Sequence, residues 1–301
     1  MKKLITAMFI FLSCFTSKAF SDGHAIKMGI ILGFTGPIES LTPAMAASAE
    51  LAFKEASDSG KLLGGKSIMI ERADSTCVDS AAATTAAEGL VSDGVLAIMG
   101  ADCSGVTGAI ATNVAVPNGV VMISPSATSP GLTDLKDKGY FFRTAPSDAR
   151  GGQVLADITK DRKVKSIAVT HTNNDYGKGL ADVYVAAVKA HGIKVTTVTA
   201  HEEGKGDYGA EVATLASAGG DALAVLWYLD QAGGSIIEGS LDSGSFDTFV
   251  LSDGMIGDSL TERFGKDLNK SFGSLPGSTG KGAGKFAEVA KAGGIDSSGP
   301  Y

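Results

Sequence analysis

The sequence predicts an α/β protein of two similar lobes, each a parallel sheet packed between helices. Short apolar runs alternate with stretches of helical periodicity from residue 26 almost to the end. That alternation implies parallel strands joined by right-handed crossovers. The runs are nearly continuous in apolar residues, as strands covered on both faces are. The alternation restarts near residue 144, which divides the chain into lobes at 23–143 and 144–301.

In the first block, IKMGIIL (Ile26–Leu32) is the first strand. PAMAASAELAFKEAS is a helix: Pro43 suits a first helical turn, and the apolar residues recur at helical spacing. KSIMIERA is the next strand and DSAAATTAAEGLV the next helix, with Asp79 as its N-cap. GVLAIM and GVVMIS are further strands. The second of these ends in SPSATSPG, a loop by its Ser, Pro and Gly content. In the second block, Ser147–Asp161 is a helix, SIAVTH a strand and TNNDYGKG a loop. LADVYVAAVKAHG is a helix closed by Gly192. KVTTVTA, ALAVLWYL and TFVLSDG supply strands, and YGAEVATLASAGG and QAGGSIIEGSLDSG supply helices.

The first 22 residues read as an export signal. Lys2 and Lys3 precede an apolar stretch, Leu4–Phe15, too short to span a bilayer, and Ser17–Ala19 offers small residues for cleavage. A lipid attached at Cys14 is the looser alternative. No later segment runs 18 apolar residues without interruption. Export makes a disulfide between Cys77 and Cys103 the simplest reading, with two buried thiols as the other. Two distant cysteines and four scattered histidines make no zinc site. A net charge of −7 argues against nucleic acid as a partner.

Ligands in this architecture sit beyond the carboxyl ends of the strands. The loops there are GFTGPIES, GADCSGVTG, SPSATSPG, HTNNDYGKG, YLDQAGG and LSDGMIGD. They are rich in Ser, Thr, Tyr and Asp and hold hardly any Lys or Arg. GADCSGVTG links an apolar run to a helical pattern beginning near Ser104, an arrangement that presents free N–H groups to an anion. It lacks the Lys of a phosphate loop, and its glycines miss the G-x-G-x-x-G register, which disfavours a nucleotide. A carboxylate fits better, held by N–H groups and the hydroxyls of Ser104 and Thr128. Plain N-capping is the other reading of those hydroxyls.

Catalysis finds no support. There is no G-x-S-x-G elbow. His171 ends a strand without a nucleophile to serve, and nothing fixes the separations of Asp102, Asp230 and Asp253. No catalytic residue, metal or cofactor is expected. Asp253, between an apolar strand and a glycine, is either a turn residue or a counter-charge for an ammonium group. A carboxylate held by one lobe and an ammonium by the other together describe an α-amino acid.

GFTGP after the first strand, Cys77 and Cys103 at the disulfide spacing, ISPSAT, YFFRTAPSD, NDYGKGLAD and SGPY occur in that order. In these markers, from Ile26 to the last residue, the chain resembles the periplasmic substrate-binding proteins of branched-chain amino acid ABC transporters. The resemblance implies the type I periplasmic-binding-protein fold, two three-layer lobes about a hinge. It implies a periplasmic location, a free amino acid as ligand and a membrane permease as partner. Ser104 falls where the family binds the ligand carboxylate. Ser126 and Thr128 fall on the loop that holds carboxylate and ammonium. Tyr176 matches the second lobe's tyrosine that reaches the ligand, and Tyr228 a position where an aromatic lines the cleft. Asp253 falls where the family has an acid, often Glu, for the ammonium.

Two departures bear on specificity. Leu41 occupies a position that is often Tyr. Asp102 stands where aliphatic-selective relatives carry an apolar residue in the side-chain pocket. An unpaired buried carboxylate there would be costly, so an Asp102 facing the cleft implies a polar or cationic amino acid. An Asp102 facing solvent leaves branched-chain preference in place. Competing readings are a binding protein for an amide, urea or aromatic acid, a sensor ectodomain, and an enzyme. The resemblance also implies a further helix and crossover strands after SGPY, which leaves the second lobe incomplete at Tyr301.

Overall fold

The computed structural model describes residues 25–277 and 282–295. The expected export signal, with Cys14, lies outside them. The first lobe carries β1 (Ala25–Leu32), β2 (Ser67–Asp74), β3 (Ala97–Gly100), β4 (Val121–Ser124) and β5 (Phe141–Arg143). Its helices are α1 (Thr42–Asp58), α2 (Ser80–Ser92) and α3 (Ser104–Ile110). A π turn continues α3 into the short α4 (Val116–Asn118). The second lobe carries β6 (Ser166–Thr172), β7 (Lys194–His201), β8 (Ala222–Leu226), β9 (Phe249–Leu251) and β10 (Phe272–Gly273). Around them lie α5 (Asp148–Asp161), α6 (Asp175–Ala190), α7 (Gly209–Ala218), α8 (Gly234–Asp242) and α9 (Asp258–Phe264).

The sheets run β2-β1-β3-β4-β5 and β7-β6-β8-β9-β10, with every pairing parallel. The second lobe therefore repeats the first strand for strand. In each, the order reverses beside the first strand, which opens a crevice beyond the strand ends. The two crevices face each other and form the cleft.

Local chemistry places the elements much as the sequence predicts. Asp79 caps α2, its Oδ1 accepting from the N–H of Ala81 at 2.9 Å and of Ala82 at 3.0 Å. Ser147 caps α5. All five residues of β8 are buried. Gly100 ends β3 at φ +129°, where a Cβ would stand 2.0 Å from the Ile31 carbonyl oxygen, so only glycine admits this approach of β3 to β1.

One expectation needs correction. Asp175–Gly179, read as a loop, forms the first turns of α6, capped by Asn174, whose Oδ1 accepts from Gly177 N at 3.1 Å. Two glycines with low helix propensity conceal that start. The last described helix, α10 (Ala283–Ala292), ends beside α1: a Cβ on Gly293, which follows it, would come within 2.8 Å of Leu51 Cδ2. Apolar periodicity records that a helix buries a face, but not against which partner.

One buried apolar cluster runs from Ile31, Val106 and Ile110 of the first lobe to Leu180 and Tyr184 of the second. A second fills the far side of the second sheet around Trp227, Phe249 and Ile236. No helix among the described residues is long and apolar enough to cross a membrane.

Candidate ligand-binding cleft

Each of the expected site residues stands at or just beyond a strand end. Asp102 and Ser104 follow β3, Ser126 and Thr128 follow β4, and Tyr176 follows β6. Tyr228 follows β8 and Asp253 follows β9. In the repeated topology Ser104 thus faces from the position that Tyr228 holds in the other lobe. Thr128 stands opposite Asp253 in the same way.

A cavity of about 320 Å³, counted to its mouth, lies between the lobes. Ser104, Ser126 and Asp102 line it from the first lobe, and Tyr176, Tyr228 and Asp253 from the second. Ile38, Leu41 and Met45 add an apolar wall. Among the described residues, no Lys or Arg lines the cavity. Thr128 lies on the adjoining cavity toward the interlobe crossover, which Asp253 also lines.

The first lobe presents neutral donors. Ser104 Oγ accepts from Ser129 N at 3.1 Å, which leaves its own proton to give away. Ser126 Oγ donates to the Asp102 carbonyl at 3.1 Å. Thr128 Oγ1 is buried and makes no well-formed hydrogen bond among the described residues. Arg143, outside the cleft, holds the loop in shape by donating to the carbonyls of Ala127 at 3.2 Å and Ser129 at 2.8 Å.

The second lobe presents an acid on a tyrosine platform. Tyr176 Oη donates to Asp253 Oδ1 at 2.5 Å and accepts from Gly254 N at 3.2 Å. Tyr176 stacks on Tyr228, ring centroids 5.0 Å apart and 17° from parallel. Tyr228 Oη is buried without a well-formed hydrogen bond among the described residues. Burial first, then the negative charge of Glu203 and Asp102, pushes this phenol well above its ordinary pKa.

Asp102 meets neither of the two alternatives. It is 2% exposed and borders the cavity, yet its carboxylate is turned onto the first lobe's own backbone. It accepts from Gly33 N at 2.6 Å, Cys103 N at 2.9 Å and Ser75 Oγ at 3.0 Å. Burial raises its pKa, and these three donors oppose that rise. The group ties together the ends of β1, β2 and β3 around the Cys77–Cys103 disulfide, whose Cα atoms are 5.1 Å apart. A carboxylate so engaged is satisfied without a cationic ligand.

Sequence reasoning missed several contributors. Asp148, the first residue of α5, is buried beside Thr128 and reads from sequence only as a helix-start acid. Asp230, seen only as one of several scattered acids, reaches across to Ser40. Glu203 stands behind Tyr228, with burial holding its carboxyl at about 7. No group of three or more His, Cys, Asp or Glu among the described residues is arranged to hold a metal ion.

The model of the periplasmic binding protein family matches residues 25–275, and the chain belongs to that family. A Leu/Ile/Val-binding protein homolog 3 from Brucella melitensis is 32% identical over 79% of this chain and 62% of its own length. The Brucella homolog 1 is 33% identical over 82% of this chain and 64% of its own. The chain thus spans a little under two thirds of these relatives. Among solved structures, a leucine-binding protein LivK from Thermotoga maritima superposes with a TM-score of 0.77 at 22% identity. It covers 89% of this chain and 75% of that one. The substrate-binding protein LivJ from Streptococcus pneumoniae, in complex with isoleucine, gives 0.74 at 25% identity, covering 89% and 77%. A solute-binding protein from R. palustris, in complex with 4-hydroxybenzoate, gives 0.73 at 16% identity, covering 90% and 74%. These likenesses bear out the two-lobe α/β fold of type I periplasmic binding proteins.

Proposed function

We propose that this protein is an exported, non-enzymatic solute-binding protein that captures a free α-amino acid and delivers it to an ABC permease. The carrying observation is the asymmetry of the cleft. Neutral hydroxyl donors (Ser104, Thr128) come from one lobe and Asp253 on its tyrosine platform from the other, and among the described residues no Lys or Arg lines the main cavity. A zwitterion satisfies that arrangement, its carboxylate meeting the donors and its ammonium the acid. The wall of Ile38, Leu41 and Met45 favours an aliphatic side chain, and Asp102, held by its three donors, does not compel a cationic one. The names of the Brucella relatives point the same way.

One observation favours a second reading, an aromatic acid. The stacked Tyr176–Tyr228 pair and the buried Tyr228 hydroxyl would suit a phenolic ring, and a structural neighbour holds 4-hydroxybenzoate. Asp253 would then face an anion without an ammonium to meet it. Calorimetric titration with free L-amino acids tests the main reading. Thr128→Ala and Asp253→Ala should each weaken binding 10-fold or more, about 1.5–3 kcal/mol for a charge-assisted bond. Unchanged affinity in both would defeat the site assignment.

A further inference from the structure

Glu203 follows β7 in the second lobe, behind the cleft wall rather than on it. Both of its carboxyl oxygens are buried without a well-formed hydrogen bond among the described residues. The two donors it faces are the Thr172 hydroxyl, at the end of β6, and the Ala232 N–H. Ala232 belongs to the π turn Leu229–Gly233 that joins β8 to α8. Helical bonding alone does not set the shape of this turn, because Gln231 leaves helical geometry (φ −125°, ψ −106°). The same turn carries Asp230, which accepts from Ser40 N of the first lobe at 2.8 Å and from Ser40 Oγ at 2.7 Å. Asp230 N also donates to Pro37 O at 3.0 Å. One short turn thus has a buried acid beneath it and an interlobe contact on its outer side.

We propose that Glu203 is a positioning residue for lobe closure: its carboxylate draws in the Ala232 N–H and presents Asp230 to Ser40, and its protonation releases the turn. This rests on capture of a solute between the lobes, whichever solute it is. A carboxylate is acceptor-only and holds an amide N–H more strongly than a neutral carboxylic acid does. Without that bond the turn is free, and the closed state loses population.

The groups around Glu203 place its proton loss near neutrality. Burial lifts its carboxyl to about 7, against the pull of Thr172 and Ala232 and aided by the charge of Glu202. Glu202 itself accepts from Asn173 Nδ2 at 2.6 Å. His171, on β6, holds Nδ1 against the Thr172 carbonyl at 2.9 Å, and His201, on β7, stacks on Trp227. Lys205, in the same loop, pairs with Glu211. Asp175 opens α6 on the exposed side, near Lys178. Asp102 and Asp253 act on the Tyr228 phenol from the cleft side. No ion pair among the described residues involves Glu203, so its charge follows the pH. Capture is therefore tighter above neutrality than below it.

NMR of the ligand-free protein tests the first link. The Ala232 amide proton should titrate with a midpoint at about pH 7, and Glu203→Gln should abolish that titration. Calorimetry on the refolded protein tests the second, with a panel of L-amino acids (leucine, valine, alanine, threonine, arginine) and 4-hydroxybenzoate at pH 6 and pH 8.5. Glu203→Gln should match wild type at pH 6. At pH 8.5 it should bind about 3- to 10-fold more weakly, the strength of a partly exposed charge-assisted pair. The factor should be the same for every ligand that binds, and should vanish when both proteins also carry Asp230→Asn. Taking the ratio of variant to wild type at each pH cancels the titration of other groups. Glu203→Ala should show the same pattern and, read alongside thermal melting, guards against a folding defect in a single variant. A flat Ala232 titration, an equal ratio at both pH values, or a ratio that survives Asp230→Asn would overturn the proposal while leaving the solute-binding reading intact. If only 4-hydroxybenzoate binds, the amino acid reading falls and the ratios for that ligand decide the proposal. Silence with every ligand would overturn both.

Discussion

Asp230 of the second lobe grips Ser40 of the first with both carboxylate oxygens. Oδ2 accepts from Ser40 N at 2.8 Å, and Oδ1 accepts from Ser40 Oγ at 2.7 Å. The link spans 190 residues of sequence and is reinforced by Asp230 N donating to Pro37 O at 3.0 Å. It ties the loop after β1 to the π turn after β8, beside the cleft yet off the wall of its cavity. A bond that forms only when the lobes meet favours the closed state, and ligand affinity follows that population.

Asp230→Asn should therefore weaken binding of every ligand by a common factor, about 3- to 10-fold for a partly exposed charge-assisted pair, and preserve their rank order. Calorimetry across several ligands checks this. A change in rank order would place Asp230 at the ligand.

Gly179 of α6 is the second closure contact. A Cβ there would stand 2.9 Å from Pro130 Cδ and 3.1 Å from Ser129 Oγ on the opposite lobe. Gly179→Ala should hold the lobes apart, raising the dissociation rate in stopped-flow while leaving ligand-free melting nearly unchanged. A large fall in ligand-free melting would make Gly179 a folding residue.

Removing the disulfide should cost about 3 kcal/mol, because Cys77 and Cys103 close a loop of 26 residues of separation. Denaturant melts of the Cys77→Ser, Cys103→Ser double variant measure this. Asp102→Leu should cost a comparable amount, about 2–4 kcal/mol, by stranding buried donors at Gly33, Ser75 and Cys103. A gain in affinity without loss of stability would return Asp102 to the ligand.

Asp148, with the buried Glu203 and Asp102, sets the pH dependence of stability. Its folded-state pKa, about 8, exceeds the unfolded value of about 4. Between those values the native state binds more protons than the unfolded one, so stability falls as pH rises. Ligand-free protein should melt at a lower temperature at pH 8 than at pH 5, and Asp148→Asn should lessen that slope, with Glu203 sustaining the remainder. Parallel pH profiles for wild type and variant would contradict it.

Much of this fold was legible in the sequence because the strands of buried parallel sheets announce themselves as apolar runs. Asp79 and Ser147 likewise sit where capping chemistry predicts. The start of α6 was hidden by Gly177 and Gly179, whose low helix propensity is overridden by the Asn174 cap and by packing. Six of the seven residues expected in the cleft line its cavity, and Thr128 lines the adjoining one, since all of them stand on strand-end loops. Orientation was not legible. Asp102 turns its carboxylate onto backbone donors from two other strand ends, and Trp227, next to Tyr228 in sequence, points into the second lobe's core and donates to Thr170 Oγ1 at 3.1 Å. The roles of Asp148 and Asp230 arise from pairings across 20 and 190 residues, which no local pattern encodes.

The central claim is that the cleft reads both charges of an α-amino acid. The most direct test is calorimetry of refolded protein with L-leucine, leucinamide and 4-methylpentanoate (leucine without its amino group), alongside the amino acid panel and 4-hydroxybenzoate. The account predicts a saturable response to an intact amino acid and a loss of 100-fold or more when either its carboxylate or its ammonium is removed. Equal binding of the acid lacking the amino group, or a response to 4-hydroxybenzoate alone, would contradict it.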